Sequence, residues 1–427
     1  MNIRSITYFC NPGWPLDFEA LRQGGDFLAA ARLAFEAAGY PVQTARLATV
    51  PFPRLIPARR QPGGTRLAPQ TEDDSAVQEQ LVALAGTLGE LATTLGFDYV
   101  SLGPALPQVP GSYAAIPAAL AAAQNVFLGG LLTDTRGRIS LPAVRMCAGV
   151  IREAAGLSPD GFANLRFAAL ANVPAGSPFF PAAYHGRGGP SFAIATEAAD
   201  LAVEAFTGAG SLEAARSSLV AAMERNGRTL AALGGDLAQA QALRFGGIDF
   251  SLAPFPEEQR SLGAAFERLG VPAVGLHGSL AAAAFLAEAM DRARFPRAGF
   301  SGLMLPVLED AVLARRAAEG VLTVKDLLLY SAMCGTGLDT LPLPGEITGE
   351  ELAPILLDLA ALACRLDKPL TARLMPIPGK RAGDPTGFDF AYFANSRVMA
   401  VDAQPLGSLL AGDEAFELIP LSRRRRG

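Results

Sequence analysis

The sequence predicts one large α/β domain whose mostly parallel sheet closes into a barrel, and three observations lead to that prediction. Short β-prone runs alternate with longer Ala- and Leu-rich amphipathic runs, a pattern typical of βαβ units. About eight to ten such units fill the 427 residues, enough to close a barrel. Half of the residues are apolar and can supply a large core. We expect residues 1–422 to form this domain and the arginine-rich residues 423–427 to be a disordered tail.

The predicted strands are rich in β-branched, aromatic and other apolar residues. They span residues 3–9, 42–48, 97–102, 126–128, 165–171, 245–252, 273–276, 301–306, 370–375 and 396–401. The predicted helices carry apolar residues at helical spacing. They span residues 18–38, 78–95, 114–124, 141–155, 193–206, 212–233, 257–269, 280–294 and 350–366. Gly-rich and polar clusters follow several strands, and such loops gather at the C-terminal face of an α/β barrel, where we expect the ligand pocket.

Composition excludes several classes of protein. The net charge of −5 provides no long-range attraction to nucleic acid or to an anionic membrane. There is no run of about 18 apolar residues to cross a membrane, and a Pro-Gly turn follows the first strand too early for a signal peptide. The four cysteines are far apart in sequence, so neither structural zinc nor a disulfide framework is indicated. We therefore expect a cytoplasmic protein.

The segment 331–345 is the strongest candidate for a functional loop. It sets a thiol, Cys334, beside Gly335, Gly337 and Asp339, after an apolar run. Glycines let a backbone approach a ligand, and a thiol beside unpaired N–H groups favours the thiolate. Cys334 is therefore a candidate nucleophile or acid/base, with Asp339 or Asp249 as its partner, while the alternative is a buried core thiol.

A long loop at 172–192 supplies further candidates. Its prolines reduce chain entropy, and its aromatic residues can form the wall of an apolar pocket. Asn172 opens the loop, and His185 is either a general base or a structural histidine. The Gly-Gly-Pro sequence before Ser191 precedes a predicted helix. Ser191 is therefore expected either to help hold an anion with exposed N–H groups or to act as an ordinary N-cap.

Charged residues near the C-terminus indicate a site for an anion or a metal. Arg373 and Lys380 are candidates to hold an anionic substrate, because arginine grips a carboxylate with two hydrogen bonds. Asp384 and Asp389, with the aspartates named above, are candidate oxygen ligands for magnesium or calcium, although no EF-hand spacing is present. Glu309 and Asp310 open a predicted helix, where acidic residues interact favourably with the helix dipole.

Five segments resemble the family known as domain of unknown function 711, over nearly the whole chain. They are SPFFPAAYHG, RFGGIDFSL, GFSGLMLPVLED, YSAMCGTGLDTLPLPG and KPLTARLMPIPGKRAGDPTGFDF. The resemblance implies the ten-stranded α/β barrel of pyruvate formate-lyase and anaerobic ribonucleotide reductase, a homodimer, and a finger-loop position for Cys334. Glycyl radical enzymes store their radical on a C-terminal glycine. Here the short match at 397–401 has Ala400 at that position and Val401 in place of the aromatic residue, which disfavours radical chemistry.

Three hypotheses of function follow. The first is a hydrolase, lyase or transferase acting without a radical on a small anionic metabolite around Cys334. The second is a ligand-binding or regulatory protein that retains the pocket without catalysis. The third is an acidic site for magnesium or calcium; no other cofactor is indicated.

Overall fold

The computed structural model describes residues 1–56, 70–333 and 335–424. Its strands, in chain order, are β1 (Asn2–Cys10), β2 (Val42–Thr49), β3 (Tyr99–Ala105), β4 (Val126–Leu131), β5 (Ile139–Ser140), β6 (Phe167–Ala171), β7 (Ser191–Glu197), β8 (Arg244–Asp249), β9 (Gly337–Pro344), β10 (Leu370–Ile377) and β11 (Ala415–Phe416). The α/β class is confirmed. β5 and β11 form a separate two-stranded sheet.

The α-helices, in chain order, are α1 (Phe18–Ala37), α2 (Phe52–Leu55), α3 (Gln70–Thr94), α4 (Gly111–Ala114), α5 (Ile116–Ala122), α6 (Leu141–Ala155), α7 (Ala199–Phe206), α8 (Leu212–Ala240), α9 (Leu262–Arg268), α10 (Ser279–Arg292), α11 (Ala311–Ala318), α12 (Val324–Tyr330), α13 (Gly349–Leu366) and α14 (Leu421–Arg424). Short 3₁₀ helices span Phe162–Arg166, Glu258–Arg260 and Ser408–Ala411. None of the helices in the described ranges is long and apolar enough to span a bilayer. Residues 425–427 lie outside the described residues, so the disordered tail stays a prediction.

The main sheet has nine strands in the order β8-β7-β1-β2-β3-β4-β6-β10-β9. The block β1-β2-β3-β4-β6 is parallel throughout, and so are the pairs β7-β8 and β9-β10. The two seams, β1 with β7 and β6 with β10, are antiparallel. The predicted mostly parallel sheet is confirmed. Because of the seams, the amino ends of β1–β4 and β6 lie at the same edge as the carboxyl ends of β7–β10.

The segment 297–306 lies beside β8 and β9, the two strands at the ends of the main sheet. Isolated parallel bridges join Arg297 to Ile248 in β8, Leu303 to Leu252 just after β8, and Pro306 to Asp339 in β9. A continuous strand was expected at 301–306. The bridges are interrupted because Gly299 and Ser301 have φ angles of +58° and +40°, in the left-handed region that breaks an extended chain. Within the described residues no continuous ladder joins β8 to β9.

The two faces of the sheet are both buried, and side-chain alternation along β1 separates them. Ile6 and Tyr8 belong to the large core between the sheet and the helices. Phe9, from the opposite face, packs in a smaller cluster with Phe127 and Phe180. Phe180 belongs to the loop 172–190, which therefore covers the face of the sheet that the helices leave free.

Several predicted elements are wrong. The helix expected at 193–206 is split: Ser191–Glu197 is strand β7, and helix α7 begins only at Ala199. Pairing with β1 and β8 outweighs the helix propensity of the two alanines in this strand. The predicted loop at 337–344 is strand β9, which accommodates Pro342 and Pro344 because it ends the ladder, where missing N–H donors are tolerated. Residues 273–276 and 396–401 form only isolated bridges.

Candidate functional site

A network of buried ion pairs occupies the loop-covered side of the sheet. Arg373 in β10 donates from Nε to Oδ1 of Asp339 at 2.6 Å and from Nη2 to Oε1 of Glu309 at 2.7 Å. Arg4 in β1 pairs with Glu309 and, at 3.2 Å, with Glu197. Arg260 also pairs with Glu197, the last residue of β7. These residues together with Arg46 are called the interior charge cluster below.

Two β-bulges aim the guanidinium groups of this cluster. The register between β1 and β7 shifts between Ile3 and Ser5, at Arg4. The register between β9 and β10 shifts between Ala372 and Leu374, at Arg373. A bulge places two residues opposite one and redirects a side chain. As a result, the consecutive residues Arg4 and Ser5 both line the same cavity.

That cavity has a volume of about 80 Å³. Its charged and polar lining includes Arg4, Ser5, Arg46, Glu309 and Arg373, and aromatic rings from the loops and strands close the remaining walls. Each guanidinium of the cluster also lies over a ring. Arg46 is 5.0 Å from the centroid of Phe180 and Arg373 is 5.7 Å from that of Phe179. Stacking of this kind suits arginine, because its planar cation is weakly hydrated.

Arg46 is the cation of the cluster without a carboxylate partner. Its Nε donates to Thr44 Oγ1 at 2.8 Å, and among the described residues it forms no ion pair. Burial lowers the pKa of Arg46 to about 10, and the positive charge of Arg4 acts in the same direction. The group is still protonated at neutral pH. Arg260 pairs with the exposed Glu257 at 3.5 Å as well as with Glu197, so each of the other three arginines of the cluster has at least one carboxylate partner, and Arg46 has none among the described residues.

Ser5 borders the same cavity and carries a second unmatched polar group. The residue is fully buried, and its Oγ has no hydrogen-bond partner in the described part of the chain. A buried hydroxyl without a partner is destabilising by about 1–3 kcal/mol. Ser5 pairs with Thr44 across the parallel β1–β2 ladder, two residues before Arg46 on the same strand. The unpaired hydroxyl and the unpaired cation are therefore neighbours on one face of the sheet.

The pKa values of the two carboxylates that bind Arg373 shift in opposite directions. Burial alone raises the pKa of Glu309, but Arg4 and Arg373 outweigh it and lower the pKa below its ordinary value. For Asp339, burial raises the pKa against the opposing charge of Arg373, and nearby Glu309 adds to the rise. Glu309 is therefore a fixed negative charge on the cavity wall. Its predicted role as a helix-dipole partner is wrong; Asp310 alone caps helix α11.

Among the candidate residues predicted from the sequence, Arg373 and Asp339 are in contact in the structure. Asp249 is not one of the residues that line the cavity. Asp249 is buried and accepts hydrogen bonds from Ser251 Oγ at 2.5 Å, from Phe300 N at 2.9 Å and from Ser301 N at 2.8 Å. These bonds hold the segment 297–306 against β8. Burial raises the pKa of Asp249. Its contacts assign it a structural role, and its predicted role in the pocket remains untested.

Cys334 lies outside the described residues, so its predicted role stays a prediction. Gly337 has φ +101°, and a side chain there would collide with the backbone of Thr371 in β10. Gly335 packs against Gly302, where an added Cβ would meet its Cα at 2.9 Å. Gly337 and Gly302 are therefore required for close approach of backbones within the protein, whereas a Cβ at Gly335 itself would meet Gly302 Cα at a tight 3.3 Å. None of these glycines lines the cavity.

The remaining candidates from the sequence lie elsewhere. Asn172 adopts a left-handed φ of 54° where the long loop begins. Ser191 is not an N-cap, because it begins strand β7; its Oγ accepts from Arg244 Nη2 at 3.3 Å. Lys380 lies in the turn after β10, where its carbonyl accepts from Gly345 N. His185 lies in a separate pocket with Asn11.

The cavity lies near the amino ends of β1–β4, not at their carboxyl ends, where the ligand pocket was expected. It includes Ser5, near the start of β1. The antiparallel seams place amino ends of some strands and carboxyl ends of others at the same edge of the sheet.

The predicted metal ligands do not come together. In the ranges that the structure covers, no three His, Cys, Asp or Glu residues are grouped to hold a metal ion. Asp384 accepts from the backbone N of Arg381, and Asp389 is exposed. Asp249 and Asp339 are each committed to the contacts described above. The arrangement of these four carboxylates does not support a shared magnesium or calcium site.

The buried His185 makes stability depend on pH. Its backbone N–H donates to Thr49 O at 2.8 Å, and its ring Nε2 lies 3.2 Å from Gly188 O. Burial lowers its pKa below the usual 6.5. The unfolded chain therefore binds more protons just below that pH, and stability decreases as the pH falls through this range. We expect His185→Gln to lose less stability than the wild type between pH values of about 7.5 and 5.5, measured by thermal unfolding. His277→Gln, at an exposed histidine, is the matched control; an equal effect of both substitutions would contradict this account.

The chain is similar in sequence to one protein family and to individual proteins from archaea and bacteria. Residues 1–389 match the family described as Uncharacterised ACR (DUF711). The chain belongs to this family. A UPF0210 protein of Pyrobaculum arsenaticum is 36% identical over 344 residues, which cover 75% of this chain and 73% of the relative. One from Pyrobaculum aerophilum is 37% identical over 317 residues, covering 71% and 70%. One from Syntrophobacter fumaroxidans is 32% identical over 332 residues, covering 72% of each chain. The resemblance found in the sequence is thereby confirmed at the level of this family.

Four members of the interior charge cluster were not predicted from the sequence: Arg4, Arg46, Arg260 and Glu197. One signal was available. Arg4 and Arg46 each lie inside a run that predicts a strand buried by its neighbours, and a charge in such a position is expensive unless it is paired or functional. Glu197 was hidden by the wrong helix prediction for its segment. Its place beside Arg4 and Arg260 follows only from the pairing of β7.

Proposed function

We propose that this protein binds a small anionic molecule in the cavity beside the interior charge cluster. The observation that carries the proposal is Arg46, a half-buried arginine that lines the cavity and has no carboxylate partner among the described residues. A ligand carboxylate or similar anion would provide the ion pair that Arg46 lacks. Aromatic rings line the same space, and an apolar wall strengthens an electrostatic contact beside it.

Binding of formate, acetate and phosphate to the full chain, measured by isothermal titration calorimetry at constant ionic strength, tests this proposal. We expect at least one of these anions to bind and Arg46→Gln to weaken that binding at least about tenfold, the loss expected for a charge-assisted hydrogen bond. Arg225→Gln removes the same charge from an exposed position on helix α8 and should leave binding unchanged. Failure of all three anions to bind, or equal effects of the two substitutions, would exclude the proposal.

A second candidate is an enzyme that acts on the bound anion without radical chemistry. The residues after the predicted nucleophile favour it: Gly335 packs against Gly302, and Met304, two residues further on, lines the cavity. Cys334→Ala should leave anion binding unchanged and abolish turnover of a substrate. Slow, unselective labelling of all four cysteines by iodoacetamide would argue instead for a protein that binds without catalysis.

The cytoplasmic location and the homodimeric state of this protein stay predictions.

We also infer that the sheet closes into a ten-stranded barrel of the pyruvate formate-lyase kind, with 297–306 as the tenth strand. The three parallel bridges from this segment to β8 and β9 support that interpretation. So do four backbone hydrogen bonds, among them Ala298 N to Ile248 O at 2.9 Å and Val307 N to Asp339 O at 3.1 Å. In such a barrel the interior charge cluster and the cavity lie inside, between the sheet and the long loop.

A further inference from the structure

We infer that a basic cleft at the carboxyl ends of β1 and β2 binds a phosphoryl group, either as free phosphate or as a phosphate monoester. The lining of this basic cleft includes Asn11, Arg54, His185, Arg187 and two glycines of the loop 172–190. Its volume is about 370 Å³. It shares no lining residue with the cavity beside the interior charge cluster, so the inference goes beyond the proposed function and does not rest on it.

The basic cleft lies where the sequence predicts a ligand pocket. Asn11 directly follows β1, and Arg54 belongs to helix α2, which follows β2. These two strands are parallel neighbours, so their carboxyl ends lie side by side. The backbone N–H of His185 donates to Thr49 O, at the end of β2, and holds the long loop against the same edge. Three separate parts of the chain therefore meet outside the carboxyl ends of parallel strands, where ligands commonly bind in α/β proteins.

The arginines of the basic cleft lack carboxylate partners among the described residues. Arg54 and Arg187 are exposed, and in the part of the chain that the structure describes their side chains form neither an ion pair nor a hydrogen bond. No aspartate or glutamate of the described ranges lines the cleft. Burial lowers the pKa of His185 and the charge of Arg244 acts in the same direction, so a third guanidinium lies near the ring. In a chain of net charge −5, this local group of cations indicates a site for an anion.

The hydrogen-bond donors of the basic cleft suit a phosphoryl group. Asn11 Oδ1 accepts from Gly13 N at 3.0 Å, and the amide nitrogen of Asn11 donates to no described residue. The ring Nε2 of His185 lies 3.2 Å from Gly188 O, while Nδ1 has no hydrogen-bond partner in the ranges that the structure covers. Two guanidinium groups, an amide and an imidazole thus border one cleft. A phosphoryl dianion has three terminal oxygens, and it can accept from more of these donors than a carboxylate with two.

Histidine NMR locates the bound anion, because the chain has only two histidines. The full chain, with ¹³C-labelled histidine rings, is titrated separately with phosphate and with methyl phosphate at constant pH and ionic strength. We expect a saturable shift of the ring signals of His185 and none for His277, which is exposed and does not line the cleft. Equal affinity for the two anions would show that the site accepts a monoester, and binding of phosphate alone would assign it to the free anion. No saturable shift of His185 with either anion would overturn the inference.

Substitution of the two arginines tests their contacts with the anion. We expect Arg54→Gln and Arg187→Gln each to weaken phosphate binding about fivefold, and the double variant more than about tenfold, because solvent partly screens exposed ion pairs. Both side chains are exposed, so the melting temperature without ligand should not change. Arg225→Gln, at an exposed position of helix α8, is the matched control and should bind phosphate as the wild type does. Arg46→Gln should also leave the shift of His185 unchanged. Equal phosphate affinity of the double variant and the wild type would overturn the inference and leave the proposed function, which depends on Arg46, untouched.

Discussion

Arg373→Met is expected to destabilise the protein by about 3–5 kcal/mol, the largest effect of any single substitution considered. Asp339 and Glu309 are 1% and 4% exposed, and Arg373 holds both of them. Methionine fills much of the same space but leaves Asp339 without a cation and Glu309 with only Arg4. The penalty arises from buried uncompensated charge rather than from lost packing. Chemical unfolding followed by circular dichroism measures it.

The pH dependence of this loss of stability shows whether it arises from an unpaired buried charge or from lost packing. Burial already raises the pKa of Asp339, and removal of Arg373 raises it further. A carboxyl group whose pKa is raised in the folded state destabilises the fold above its unfolded pKa, and the penalty decreases as the pH falls through the folded pKa. We therefore expect the deficit of Arg373→Met to be smaller at a pH of about 5 than at about 7.5. In the double variant Arg373→Met/Asp339→Asn, part of the stability should return. A deficit that is independent of pH and of Asp339 would contradict the account.

Asp310→Ala is expected to cost about 4 kcal/mol, because one carboxylate caps two helices. Oδ2 accepts from the first N–H groups of helix α9, Leu262 at 2.7 Å and Gly263 at 3.1 Å. Oδ1 accepts from Val312 at 2.9 Å and Leu313 at 3.0 Å in helix α11. Each lost cap is worth about 1 kcal/mol, and each buried N–H that stays unsatisfied adds to the loss.

Two further variants define this effect. Asp310→Asn keeps the shape but turns an NH₂ group toward N–H donors, so we expect an intermediate loss of stability. Asp389→Ala removes an exposed carboxylate and should change the free energy of unfolding by less than about 0.5 kcal/mol. Thermal and chemical unfolding of the three variants provide the comparison. A loss below about 1 kcal/mol for Asp310→Ala would show that water replaces the lost caps.

Local patterns in the sequence were enough to locate most elements of the fold. Helix α6 spans Leu141–Ala155, as predicted, because Ser140 caps it and apolar residues recur at helical spacing. The first strand and helix were placed to within one residue at each end. Strands β7 and β9 were missed for different reasons. β7 contains alanines that suit a helix equally well, and β9 contains prolines and glycines that usually mark a loop.

The sequence also identified two of the residues that meet at the site: Arg373 as a group that could hold an anion, and Asp339 as part of the glycine-rich segment after an apolar run. It did not reveal which charges face each other. Arg4 and Arg373 are aimed by bulges, and bulges depend on the register between strands, which one sequence does not encode in its periodicity. The same holds for Glu309, which local context assigned to a helix end.

The sequence by itself thus determined the α/β class, the family, and the alternation of strands and helices that makes a largely parallel sheet. Only the tertiary structure decided where the candidate site lies. Two antiparallel seams bring the amino ends of β1–β4 beside the carboxyl end of β7, so residues far apart in the chain share one cavity. Arg46 and Ser5 are distinctive there because their neighbours in space, rather than in sequence, leave them without partners.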